Sequence, residues 1–196
     1  MYQTASGEYM NNRIIRPKKI IGYNRGAGFF SALRQSAMEH SYNGNLGSLV
    51  YVTKRFVNYT RHVIARFMPF NRIRVSLHKA RGVNIGKNVQ IGPLVFIDEP
   101  FPEYVYIDDD AAIANGTFII AHVKPPIYQR RNLESYVQSV VIEKGAWVGA
   151  CSIILSGVTV GEGSIVTAGS VVSRDVSPYT VVAGNPARLV SKLKKG

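Results

Sequence analysis

The sequence predicts a mainly β protein, a parallel β-helix of about four coils with an N-terminal helical extension and a long excursion loop. Three observations predict it. An aliphatic residue returns every six positions from Ile142 through Val148, Ile154, Val160 and Val166 to Val172. Small residues recur between them, at Gly145, Gly149, Ser152, Gly157, Gly161, Gly163, Ser164, Gly169 and Ser170. The same phase runs upstream through Ile85, Ile91 and Ile97, then Ile107, Ile113 and Ile119.

A period of six scatters side chains to three sides of a helix, whereas an even period in an extended chain points them all to one side. The aliphatics therefore share one interior. Glycine and serine allow a turn every few residues, which a flat sheet would not need. Short strands separated by bends at hexapeptide spacing describe a solenoid whose coils pair with the coils above and below. Twelve such hexads, at three per coil, make four coils, and a strand spacing of ~4.8 Å makes the stack roughly 20 Å tall.

Taken in chain order, residues 1 to about 27 are polar, basic and without periodicity, and are expected to be extended, partly disordered or wrapped on a neighbour. "GFFSALRQSAMEH" is compatible with a short helix. A stronger helix is predicted from Ser48, as N-cap, to Met68, before Pro69. Its apolar half holds Leu49, Val52, Phe56, Tyr59, Val63 and Phe67, and its polar half holds Lys54, Arg55, Asn58, Arg61, His62 and Arg66. Three readings stay open: the apolar half packs on the first coil with the basic face solvated, the helix lies on an anionic membrane surface, or its basic face meets nucleic acid. The hexads then begin. Their phase breaks twice, by four extra residues around "PFPEY" and by the long segment "AHVKPPIYQRRNLESYVQSV", which reads as a loop thrown out of the coil. The expected division is a basic extension over 1–78, the β-helix over 79–178 with its excursion near 123–140, and a tail over 179–196.

The net charge of +12 is unevenly placed. Residues 1–81 hold 14 Lys and Arg against 2 acids, and residues 82–196 hold 10 against 10. The repeat region is thus not a nucleic-acid surface, and the basic excess belongs to the extension. The 46% apolar composition suffices for a core, and the single cysteine, Cys151, excludes a disulfide framework. No apolar run reaches the ~18 residues of a membrane span, and the first twenty residues lack a signal-peptide core. The expected location is cytoplasmic, with a peripheral membrane contact as one option.

The stretch "AWVGACSIILSGVTVGEGSIVTAGSVVSRDV", the closing "VSPYTVVAGNPARLVSKL" and the excursion just after a histidine together resemble the hexapeptide-repeat acyltransferases over roughly residues 79–193. The sugar acetyltransferases and the capsule or lipopolysaccharide O-acetyltransferases look nearest. The resemblance implies a left-handed coil, a homotrimer with active sites between subunits, and acetyl-CoA as co-substrate. It implies that His122, in "IIAHVKPP", is the catalytic histidine. It also implies that Ala150 and Ala168 let the pantetheine arm approach the backbone. Arg188 in "NPARLV" matches a basic residue near the nucleotide end, and Arg174 and Lys192 add charge for the phosphates.

The chemistry is consistent with one histidine. An ordinary imidazole is mostly neutral at pH 7 and can take the proton of a sugar hydroxyl as it attacks a thioester. Backbone N–H groups at the turns would stabilise the oxyanion. No covalent enzyme intermediate is needed, so Cys151 reads as a small coil residue. The expected activity is acetyl transfer from acetyl-CoA to a hydroxyl of a sugar or surface-polysaccharide precursor. N-acetylation of a nucleotide-linked amino sugar and a non-catalytic scaffold are the alternatives. No metal is expected, because the zinc hydratases that resemble this fold need three histidines and the repeats contain only His122.

Overall fold

The computed structural model describes residues 18–19, 37–38, 44–126, 128–129 and 132–194. The expectations for residues 1–27 and for a helix near 28–40 fall almost wholly outside these.

Three parallel walls form the body. The first stacks Asn84–Ile85, Val105–Ile107, Val140–Ile142 and Thr159–Val160. The second stacks Gln90–Ile91, Ala112–Ile113, Trp147–Val148 and Ile165–Val166. The third stacks Phe96–Ile97, Phe118–Ile119, Ile153–Ile154 and Val171–Val172. The register follows the hexads residue for residue: Ile85 pairs with Ile107, Ile107 with Ile142, and Ile142 with Val160. Both phase breaks are therefore absorbed at corners. Three residues of "PFPEY", Pro102–Tyr104, form a single 3-10 turn there.

Eleven of the twelve hexad aliphatics are buried, and Ile85 at the open end of the first wall is half-buried. Each buried aliphatic stabilises the coil by about 1.5–3 kcal/mol relative to exposure. Turns must also be thin. A Cβ on Gly149 would come within 2.5 Å of Ala168 N in the next coil, so glycine is the residue that lets the coils close. The buried corner serines bond to backbone carbonyls, Ser152 Oγ to Thr167 O at 3.0 Å and Ser164 Oγ to Gly161 O at 2.6 Å.

The coil runs slightly beyond its hexads. Val176 bridges Val160, and Thr180–Gly184 adds to the second wall before Ala187–Lys192 folds back on it antiparallel. This hairpin covers the upper edge of the second wall. The excursion opens and closes as a small antiparallel pair, His122–Val123 with Tyr136–Val137, and Lys18–Lys19 joins its outer edge.

Two helices cover the lower end, α1 (Gly44–Phe67) and α2 (Asn71–Ala80). Sequence reasoning missed α2. It also placed the start of α1 too late: Ser48 lies inside the helix and its hydroxyl donates back to Gly44 O.

The larger correction concerns orientation. α1 turns its polar face to the coil and its apolar face to solvent, with Leu49 63%, Phe56 71% and Phe67 68% exposed. The lower edge of a solenoid supplies the reason, because the first coil presents backbone groups that no neighbouring strand pairs. Polar side chains pair them. Asn71 bridges Val89 O and Ile91 N, and Arg74 Nε donates to Ile91 O at 2.6 Å. Arg81 Nη2 donates to Ile97 O at 3.1 Å and to Asp98 O at 2.7 Å, while Arg66 O accepts from Leu94 N. Arg81 Nη1 lies 2.8 Å from His62 Nδ1 and 3.0 Å from His78 Nδ1, so both imidazoles serve as neutral acceptors. Arg55 reaches Glu99 at 3.0 Å. The basic half of α1, expected in solvent, largely joins this end cap.

Candidate active site

His122 begins the excursion at the corner between the third and first walls. Its Nδ1 lies 2.6 Å from Asp98 Oδ2. Asp98 directly follows Ile97, so the wall that aligns Ile97 under Ile119 lifts the carboxylate to the root of the excursion. The carboxylate is fully satisfied. Oδ2 also accepts from Ala121 N at 2.8 Å, and Oδ1 accepts from Phe101 N at 3.0 Å. Asp98 has 0% side-chain exposure and the His122 ring 25%, so the pair has one closed end and one open end. Phe101 leans on the ring at a centroid distance of 5.7 Å, and Ser156 Oγ holds Ala121 O from the coil above at 2.7 Å.

This geometry fixes the proton. With Nδ1–H donated to the carboxylate, a neutral ring keeps its lone pair on Nε2, the nitrogen left for a reacting group. Asp98 was not among the residues singled out from sequence. A signal existed: stacking the hexads places Asp98 beneath Ile120, just before His122.

Ala150 and Ala168 stand elsewhere, on the corner between the second and third walls, one coil apart. Gly169 N donates to Ala150 O at 2.8 Å, which stacks the two turns. Ala168 is exposed and Ala150 half-buried, so this corner presents backbone to solvent. Cys151, beside them, is exposed and takes a left-handed φ of 57°.

Arg174, Arg188 and Lys192 are brought together. They line one cleft of ≈ 560 Å³ between the last coil and the C-terminal hairpin, together with Tyr179 and Leu193. All three cations are exposed. Asp175 also lines the cleft, but its Oδ1 accepts Thr159 N. His122 is not part of this cleft. The chain thus offers three pieces on different corners: a histidine–carboxylate pair, a thin alanine corner and a cationic cleft. Among the described residues, no group of three or more His, Cys, Asp and Glu is placed to hold a metal.

Similarity to known proteins identifies the family. Residues 139–174 match the family model described as bacterial transferase hexapeptide (six repeats). YvoF of Bacillus subtilis (strain 168), named as a candidate acetyltransferase, is 31% identical over 72% of this chain and 81% of its own length. The galactoside O-acetyltransferase of Escherichia coli (strain K12) is 30% identical over 57% of this chain, which spans about half of that relative, 54%. Among solved structures, a maltose O-acetyltransferase from Clostridium difficile 630 aligns with a TM-score of 0.59 at 21% identity, over 74% of this chain and 89% of that one. A hexapeptide-repeat acetyltransferase of Vibrio cholerae complexed with acetyl-CoA aligns with a TM-score of 0.56 at 25% identity and the same coverage. The fold is the left-handed parallel β-helix of these enzymes. The chain belongs to the hexapeptide-repeat acyltransferase family.

Proposed function

We propose that this protein transfers an acetyl group from acetyl-CoA to a hydroxyl of a sugar or surface-polysaccharide precursor, with His122 as general base and Asp98 as its orienting partner. The observation that carries the reading is the 2.6 Å contact between His122 Nδ1 and a fully buried carboxylate at the root of the excursion. Nε2 takes the hydroxyl proton as the oxygen attacks the thioester carbonyl. The resulting imidazolium is steadied by Asp98 and returns its proton to the departing CoA thiolate. Acetyl passes directly to the acceptor, and Cys151 takes no part.

The separation of the pieces supports a homotrimer. His122 and the Ala150–Ala168 turns flank the third wall from opposite corners, so a neighbouring copy is needed to set a thin backbone corner against the histidine. Phe118 at 40% and Trp147 at 53% exposure leave apolar surface on the third and second walls for that contact. Arg174, Arg188 and Lys192 would hold the phosphates of the nucleotide end.

Thiol release from acetyl-CoA, measured with a panel of sugars and amino sugars, tests the reading. Release with hydroxyl acceptors is expected. Release only with nucleotide-linked amino sugars would move the assignment to N-acetylation, and absence of both release and CoA binding would make the β-helix a scaffold.

A further inference from the structure

The two breaks in the hexad phase fall at the same corner, between the third and first walls, one coil apart: the first carries the chain from Ile97 to Ile107 and the second from Ile119 to Ile142. The coil itself does not need them. One coil higher the same corner passes from Ile154 to Val160 with no added residue, closed by Val158 N donating to Leu155 O. The breaks instead meet in a small core of their own. Phe101 comes from the first and Val137 from the second, 7% and 0% exposed, and half-buried Tyr104 packs against them. The Tyr104 ring meets Phe101 edge-on at 6.3 Å, and Val137 lies in register with His122 across the excursion hairpin. The turn that carries Phe101 is pinned on both sides, by Arg55 on Glu99 at 3.0 Å and by Asn84 Nδ2 donating to Glu103 O at 3.0 Å.

From this second core we infer that Phe101 is a positioning residue for the histidine, and that the "PFPEY" insertion belongs to the site and is not a corner filler. The inference rests on the proposed role of His122. Phe101 touches both members of the pair: its N–H donates to Asp98 Oδ1 at 3.0 Å, and its ring lies 5.7 Å from the imidazole, tilted by 57°. Orientation is what the chemistry needs. Half a turn of the imidazole would set a carbon in place of Nδ1 against Asp98 and aim the Nε2 lone pair elsewhere. An aromatic contact at this distance favours one ring placement beyond what burial alone supplies. The covered side also keeps water from competing for the carboxylate. Val137, opposite His122 in the hairpin, ties the excursion to the same core. Phe101 thus acts through His122 and Asp98, not on the reacting atoms.

Phe101→Leu in the full chain keeps the N–H and an apolar side chain but removes the flat ring. With a competent hydroxyl acceptor, kcat is expected to fall roughly tenfold or more while KM for acetyl-CoA stays unchanged. Ile113→Val, a core substitution in the second wall, is the control and should lower Tm with kcat retained. Proton NMR reads the same contact without turnover. The imidazole N–H resonance of His122, assigned by its loss in His122→Ala, should be protected from exchange in the wild-type protein and lost in Phe101→Leu. Should Phe101→Leu misfold, Tyr104→Leu removes the edge-on support of the Phe101 ring and should move both readings in the same direction. A folded Phe101→Leu variant with wild-type kcat overturns the inference, as does one whose His122 resonance persists unchanged. Loss of the resonance in a protein that transfers acetyl to no acceptor would instead uphold Phe101 as the residue that holds the ring and overturn the assigned reaction.

Discussion

His122 Nδ1 and Asp98 Oδ2 lie 2.6 Å apart although 24 residues separate them in sequence, because Ile97 and Ile119 stack in one wall of the coil. The pair is held from three sides by the N–H groups of Phe101 and Ala121 and by the hydroxyl of Ser156 acting on Ala121 O. An imidazole held this way owes its direction to the coil, not to the excursion that carries it.

Asp98→Asn should keep the shape of the corner while removing the anion that orients the ring and steadies the imidazolium. Turnover is expected to fall by roughly 10²-fold or more, with little change in KM for acetyl-CoA. Steady-state kinetics on the variant checks this. Wild-type turnover would reduce Asp98 to a structural carboxylate.

Arg188→Ala should act on binding. Loss of one charge-assisted contact to phosphate is worth about 1.5–3 kcal/mol, so KM for acetyl-CoA should rise on the order of tenfold while kcat changes much less. A variant with unchanged KM and depressed kcat would move Arg188 away from the nucleotide end.

Much of this was legible in the sequence, and the reasons differ by element. The hexad phase gave the walls, their register and the corners that absorb the insertions, since period six survives in one chain read alone. His122 was legible only through family resemblance and its place at the excursion's root. Asp98 was not found, because its place beside His122 appears only when successive coils are stacked. The orientation of α1 was left open by the sequence for a physical reason. Amphipathicity states which residues share a face, but the partner decides which face turns inward, and here the partner is a coil edge that needs hydrogen-bonding groups.

That end cap has a pH signature. Burial first, and the Arg81 guanidinium second, lower His62 to about 4 and His78 to about 3; Arg66 adds to the effect on His62 against an opposing pull from Asp98, and His62 and Arg74 add to it on His78. An unfolded chain protonates both rings near pH 6.5, so between that pH and about 4 the unfolded state binds more protons. Their contribution is full above pH 6.5 and is lost as pH falls toward 4, on the order of a few kcal/mol. Urea unfolding at about pH 7.5 and about pH 5 should show a lower midpoint in acid, and His78→Gln should reduce the difference. Equal midpoints for the wild-type protein would contradict the buried neutral pair.

Arg81→Met should destabilise the protein and disturb catalysis together. The substitution leaves Ile97 O and Asp98 O without their donor, at about 1–3 kcal/mol for each buried group. A Tm lowered by several degrees is expected, with a fall in kcat because Asp98 O loses its donor and the residue is left on its N–H bond to Ile119 O. Calorimetry with parallel kinetics reads both, and a lowered Tm with full kcat would separate the cap from the site.

The most direct test of the account is His122→Ala, assayed for thiol release with a competent hydroxyl acceptor and for acetyl-CoA binding by calorimetry. The proposed role predicts turnover lowered by roughly 10²-fold or more, the usual contribution of a general base, with acetyl-CoA affinity nearly intact. Wild-type turnover in a correctly folded variant would remove His122 from the mechanism and leave the buried carboxylate beside it without a chemical purpose.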